Sequence, residues 1–154
     1  MKIAIGSDHA GFPFKKIAMD LLQNLGISVV DMGTLSDEPV DYPDFAVKVG
    51  RAVQEKIVDR GILLCGSGVG ACIAANKIKG VYAGTCHDTY SARQGVEHDN
   101  MNVLCVGARV IGEEMLREII QAFLSARYLG NNDGQERHAR RVAKIKKIES
   151  ENMV

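Results

Sequence analysis

The stretch GILLCGSGVGACIAANK, residues 61–77, sets a cysteine, Cys65, against three alternating glycines, Gly66, Gly68 and Gly70. Glycines in a strand-to-helix turn let backbone approach a ligand closely, and the following helix aims free N–H groups and its positive dipole end at that ligand. The same field favours a thiolate, because a cysteine near a helix N terminus can fall well below its free pKa of about 8.5. Ser67 adds a hydroxyl that can donate to an oxyanion beside the amides of the turn, that of Val69 among them. A base and an oxyanion cradle in one turn read as proton-transfer or nucleophilic chemistry. The plainer alternative, a small buried cysteine closing a strand, does not account for the adjoining glycines.

Named phosphate and nucleotide motifs fit this turn less well. A P-loop needs a lysine after its last glycine, and none follows Gly70 at that spacing. A cysteine phosphatase needs an arginine six positions after its thiol, where this chain has Ala71 for Cys65 and Ala92 for Cys86. The run from Gly66 to Ala71 satisfies G-x-G-x-x-A, with Asp88 at the end of the next strand, so spacing alone leaves a nicotinamide site open. Against that site, the motif lies on the third strand and too little chain remains for a second mononucleotide half.

Three further clusters carry chemistry. Asp8 and His9, in SDHAG, follow a strand and precede Gly11; Asp8 either lines a site or caps the next helix. His98 and Asp99 close a helical stretch, an imidazole beside a carboxylate that suits proton shuttling near neutral pH or simply the helix dipole. Arg137, Arg141, Ile145 and Ile148 share one helical stripe, which predicts two guanidiniums held inward on an apolar face where an anion such as phosphate would relieve them. Surface arginines paired with acids such as Glu136 are the alternative. The histidines form no HExxH-like array, which predicts no metal site.

These residues need a scaffold. The 154 residues suit one domain with a real core, residues 1–154. Nineteen basic against nineteen acidic side chains leave no net charge, which excludes the electrostatic footprint of a nucleic-acid binder. Four cysteines without C-x-x-C spacing, no secretory signal and no transmembrane run predict a reduced, cytoplasmic protein that does not enter membranes.

Short apolar runs alternate with amphipathic stretches, the rhythm of repeated βα units. Strands are expected at Lys2–Ser7, Ile27–Asp31, Gly61–Cys65, Val81–Cys86 and Asn102–Gly107. Helices are expected at Pro13–Leu25, Pro43–Ile57, Gly68–Lys77, Tyr90–His98, Glu113–Tyr128 and Gln135–Glu151, with Gly26 ending the first. The expected fold is a three-layer α/β/α, doubly wound, Rossmann-like domain around a five-stranded parallel sheet, with the last helix available to a partner subunit. If strands one and three are neighbours and strand two lies outside, SDHAG and CGSGVG border one crevice at the topological switch point.

Taken together, SDHAG, DYPD, GILLCGSGVG, IAANK, EHDNMNVLCVGARVIG and RHARRV resemble the ribose-5-phosphate isomerase B family, which includes galactose-6-phosphate and allose-6-phosphate isomerases. The resemblance covers nearly the whole chain. It implies aldose–ketose isomerisation of a phosphosugar, most simply ribose 5-phosphate to ribulose 5-phosphate, without metal or cofactor. It further implies a homodimer with active sites shared across its interface, and leaves a tetramer open. Matched residue by residue, Cys65 becomes the base moving a proton between C2 and C1 through an enediolate, and Ser67 with the amides of residues 66–70 holds the oxyanion. His98 becomes the acid that opens the furanose, Asp8 and His9 line the sugar site, and Arg109, Arg137 and Arg141 anchor phosphate. Where many relatives carry asparagine, this chain has Asp99, which cannot donate when ionised. A second branch places a glutamate base in the glycine loop, at the position of Ala71 here. A six-carbon phosphosugar is the alternative substrate; a nucleotide- or sugar-phosphate-binding module without turnover is the alternative class.

Overall fold

The computed structural model describes residues 1–154. Five parallel strands, β1 (Lys2–Ser7), β2 (Ser28–Asp31), β3 (Arg60–Cys65), β4 (Ala83–Thr85) and β5 (Val103–Gly107), form one sheet in the order β2-β1-β3-β5-β4. Between and after them run α1 (Phe12–Asn24), α2 (Tyr42–Gln54), α3 (Val69–Ala75), α4 (Thr89–Asp99), α5 (Glu113–Ser125) and α6 (Glu136–Asn152).

Strands buried on both faces explain the near-continuous apolar runs. Ile3, Ile5, Ile62, Leu64, Leu104 and Val106 face α1, α4 and α5, where Phe123 and Leu22 are fully buried. The alternate residues Ala4, Leu63, Cys65, Val103 and Cys105 face α2 and α3. Because side chains alternate along a strand, Cys65 belongs to the α2/α3 face and sits at the carboxyl end of β3, level with Gly107 of β5. The sheet order places β1 beside β3 with β2 outside, as expected. No helix is long and apolar enough to cross a membrane.

Three expectations need correction. The fourth strand is only Ala83–Thr85, because Asn102 and Asn76 side chains, rather than a strand neighbour, take the Tyr82 and Ala83 amides. The third helix spans seven residues, Val69–Ala75, so the dipole invoked for the glycine turn is that of a two-turn helix. In α6 the stripe meeting its own chain is His138, Val142 and Glu149, not the one carrying the arginines: Arg137 and Arg141 are exposed, and Ile145 and Ile148 are 40% and 61% exposed. Helical periodicity defines both stripes, and the stack of His138 on His98 at the end of α4 turns the His138 stripe inward.

Candidate active site

The β1–α1 turn is built on β3. The Asp8 N–H donates to the Leu64 carbonyl at 3.2 Å, and Asp8 Oδ1 accepts from the Gly11 N–H at 2.9 Å. A Cβ at position 11 would fall on the Leu64 carbonyl, so only glycine lets the turn lie this close. Asp8 thus has the local duty of bracing the helix entry and still lines the crevice. The β2–α2 loop is pinned over the same end of β1, with Ser7 donating to the Gly33 carbonyl at 2.7 Å and the buried Lys15 ammonium held by Asp31 and the Thr34 carbonyl. That loop brings the Val40 N–H to His9 Nδ1 at 3.2 Å. With Nδ1 accepting, the neutral His9 ring carries its proton on Nε2.

The β3–α3 turn passes through the left-handed region at Gly68, φ 80°. A Cβ there would lie 3.0 Å from the Gly107 amide, so the two loops touch backbone to backbone. The Gly68 N–H donates to Cys65 Sγ at 3.1 Å, and the Val69 N–H donates to Ser67 Oγ at 3.2 Å. Two of the five amides expected to cradle an oxyanion are therefore already engaged, and Val69 itself points to solvent outside the crevice, 52% exposed. The amides of Gly66, Ser67 and Gly70 make no hydrogen bond within the chain, and Ser67 Oγ, having accepted one, retains its own proton to donate. The β5–α5 loop straps down on this turn, Ala108 N–H to the Cys65 carbonyl at 2.8 Å and Arg109 N–H to that of Gly66 at 3.0 Å, which sets the Arg109 guanidinium beside Gly66.

Together these loops enclose a crevice of about 420 Å³ holding Asp8, His9, Cys65, Gly66, Ser67, Gly70 and Arg109. A larger groove of about 570 Å³ near Leu25 and Gln121 has Glu118 as its one ionisable side chain and no cation, so size alone does not locate the chemistry. Tyr42 and Val110 line the crevice as well, and neither was assigned a role from the sequence. The Tyr42 ring packs where a Cβ on Gly70 would go, 2.6 Å from its Cζ. Its signal was present: an aromatic in DYPD, at the start of a helix whose N terminus must border the same strand ends.

Of the four cysteines, Cys65 is the one in the crevice, 4% exposed. Outside the crevice, a hydrogen bond with Cys105, helped by Thr85 and Asn76 against the opposing effect of burial, holds the Cys72 thiol down to about 6. It faces the Ala83 carbonyl and Asn76, away from the crevice.

His98, Asp99, Arg137 and Arg141 are not in the crevice. His98 and Asp99 end α4, which runs antiparallel to the strands and delivers them to the start of β5. Cys65 is level with the far end of that strand, four residues or roughly 13 Å away along the sheet. There His98 Nδ1 meets Gln94 Nε2 at 3.0 Å, and its ring stacks on His138 with centroids 4.0 Å apart and planes 15° from parallel.

A family model described as Ribose/Galactose Isomerase matches residues 3–145. Ribose-5-phosphate isomerase B of Escherichia coli is 45% identical over 148 residues, 96% of each chain. D-erythrulose-4-phosphate isomerase of Pectobacterium atrosepticum is 44% identical over 132 residues, 84% of this chain and 86% of its own. The solved structure of Clostridium thermocellum ribose-5-phosphate isomerase B superposes with a TM-score of 0.93 at 45% identity, covering 98% of this chain and 99% of that one. With the predicted fold, the crevice at its switch point and near full-length similarity agreeing, the chain belongs to the ribose/galactose isomerase family of sugar-phosphate isomerases.

Proposed function

We propose that this enzyme interconverts ribose 5-phosphate and ribulose 5-phosphate with Cys65 as base. The Cys65 thiolate takes the C2 proton of the open-chain aldose, and negative charge gathers on O1 as the enediolate forms. The free amides of Gly66, Ser67 and Gly70 and the Ser67 hydroxyl stabilise that charge. Return of the proton to C1, with loss of the O2 proton and gain of one by O1, completes the ketose. Asp8 and His9 hold sugar hydroxyls, His9 through its Nε2–H. Arg109 meets the phosphate from the same chain.

The observation carrying the rest is the separation of the remaining groups. His98, Arg137 and Arg141 lie outside the Cys65 crevice, and Arg137 and Arg141 project from the exposed stripe of α6 that also displays Ile145 and Ile148. A two-fold dimer built on that stripe gives each crevice the partner's His98 to open the furanose, with Asp99 beside it, and the partner's arginines to anchor phosphate. The assembly is a homodimer, working in the cytoplasm.

Subunit complementation tests this reading. Cys65→Ala and Arg141→Ala chains are each expected to be inactive alone. Co-expressed with different tags, half the dimers are mixed, each with one intact site, so activity recovers to roughly a quarter of wild type for independent sites. A mixed dimer no more active than its parents places both residues in one subunit and overturns the shared site. A four-carbon ketose phosphate is the second reading, favoured by the D-erythrulose-4-phosphate isomerase at 44% identity, and a kcat/KM comparison of the two substrates decides between them.

A further inference from the structure

His138 is an unusual side chain for a helix start: 1% exposed, with neither ring nitrogen hydrogen-bonded. A buried polar group without a partner is destabilising, and phenylalanine would fill the space without that cost. What His138 does have is the face of His98, 4.0 Å away and nearly parallel. His98 in turn has one fixed polar contact, Gln94 Nε2 on its Nδ1 at 3.0 Å, one helical turn back along α4. An amide nitrogen only donates, so Nδ1 accepts and the neutral ring carries its proton on Nε2.

The geometry points to Gln94 and His138 as the positioning residues of the ring-opening acid: Gln94 selects the tautomer that presents Nε2–H, and His138 is the plate that fixes the plane of the His98 ring. This rests on the reading of His98 given above. Two freedoms would otherwise be open to His98, rotation about the bond to its ring and exchange of its proton between the two nitrogens, and each contact removes one. Burial first, and then the charges of His98, Arg137 and Arg141, opposed by Asp99, push the His138 imidazole below its ordinary value. A neutral His138 gives the His98 ring an uncharged π face to rest on instead of a cation. Neither residue touches the sugar in this scheme; both act through His98.

Nitrogen-15 NMR of the ring signals, with rates on ribose 5-phosphate and on D-erythrose 4-phosphate, tests the assignment. The four-carbon aldose carries phosphate on O4 and cannot close a furanose, so it bypasses ring opening. Wild-type His98 is expected to show protonated Nε2 and unprotonated Nδ1. Gln94→Leu should mix the tautomers and slow ribose 5-phosphate turnover about tenfold, with the acyclic substrate unaffected. Gln94→Glu, which replaces the donor by an acceptor, should move the proton to Nδ1. His138→Phe keeps the plate and should preserve both rates, while His138→Ala should lose the cyclic substrate selectively. An unchanged His98 spectrum in both Gln94 variants overturns the role of Gln94. Equal loss in His138→Phe and His138→Ala overturns that of His138. If His98→Asn slows both substrates alike, ring opening by His98 is refuted instead, while the NMR result still decides whether Gln94 sets its tautomer.

Discussion

Gly11→Ala tests how the crevice is held together. The backbone at Gly11, the N-cap of α1, is right-handed helical, φ −84° and ψ −11°, so any effect of alanine beyond the loss of an N-cap glycine comes from space. The new Cβ would overlap the Leu64 carbonyl and lie 2.9 Å from the Cys65 nitrogen. Relieving that contact lifts the β1–α1 turn off β3 by about 1 Å, and overpacking of this kind costs about 1–3 kcal/mol. At roughly 2–4 °C per kcal/mol for a chain of this size, a 2 kcal/mol loss lowers Tm by about 4–8 °C. The same movement carries Asp8 and His9 away from Cys65, and a misplacement of about 1 Å in a catalytic array is worth on the order of 100-fold in rate. Gly112→Ala is the matched control, because Gly112 also stands at a helix N-cap, has open space where a Cβ would go, and bears only the cap penalty of roughly 1 kcal/mol. Thermal melts and ribose 5-phosphate turnover of both variants give the answer. If Gly11→Ala melts with Gly112→Ala and retains wild-type kcat/KM, the close packing of this turn on β3 does not organise the site.

Cys65→Ala should abolish isomerisation while phosphosugar binding, measured calorimetrically, persists; an inactive Cys72→Ser would identify the wrong thiol as base. Because the Cys72 thiol is held at about 6, alkylation at pH 7 should also label it, but mass spectrometry should show inactivation tracking the Cys65 adduct and bound phosphosugar protecting Cys65 alone. His138, pushed below the ordinary imidazole value of about 6.5, destabilises the fold when it takes up a proton. Stability is therefore fully present above that value and lost as pH falls below it towards the lower folded-state value, and His138→Phe should flatten this part of the Tm–pH curve. Asp99→Asn should preserve activity if the side chain only accepts from the sugar, and a loss of 100-fold or more in kcat would show that the carboxylate has a task of its own.

Much of the site was legible in the chain because its signals are local. Cys65, Gly66, Ser67 and Gly70 occupy one turn, Asp8 and His9 another, and a parallel sheet must bring loops at neighbouring strand ends together. Alternation within Ile62–Cys65, apolar at every position, already required helices on both faces. Gly26 was readable as a helix stop, and it closes α1 in a Schellman turn, with Gly26 and Ile27 donating to the Gln23 and Leu22 carbonyls.

What tertiary structure alone decided is whatever depends on competition between equal local options. Periodicity marks two neighbouring stripes on α6, but only packing against α4 chose His138 and Val142 as the inner one and left Arg137 and Arg141 outside. The order β5-β4 at the edge of the sheet has no counterpart in any short motif, since it is set by which strand fills the space beside β3. The Gly68 and Val69 amides look free in sequence and are engaged in space, and Tyr42 enters the crevice because Gly70 leaves room for its ring. The pairing of His98 with Gln94 is written at helical spacing, but its stack on His138 joins residues 40 apart, and no local preference specifies a contact made only when two helices meet.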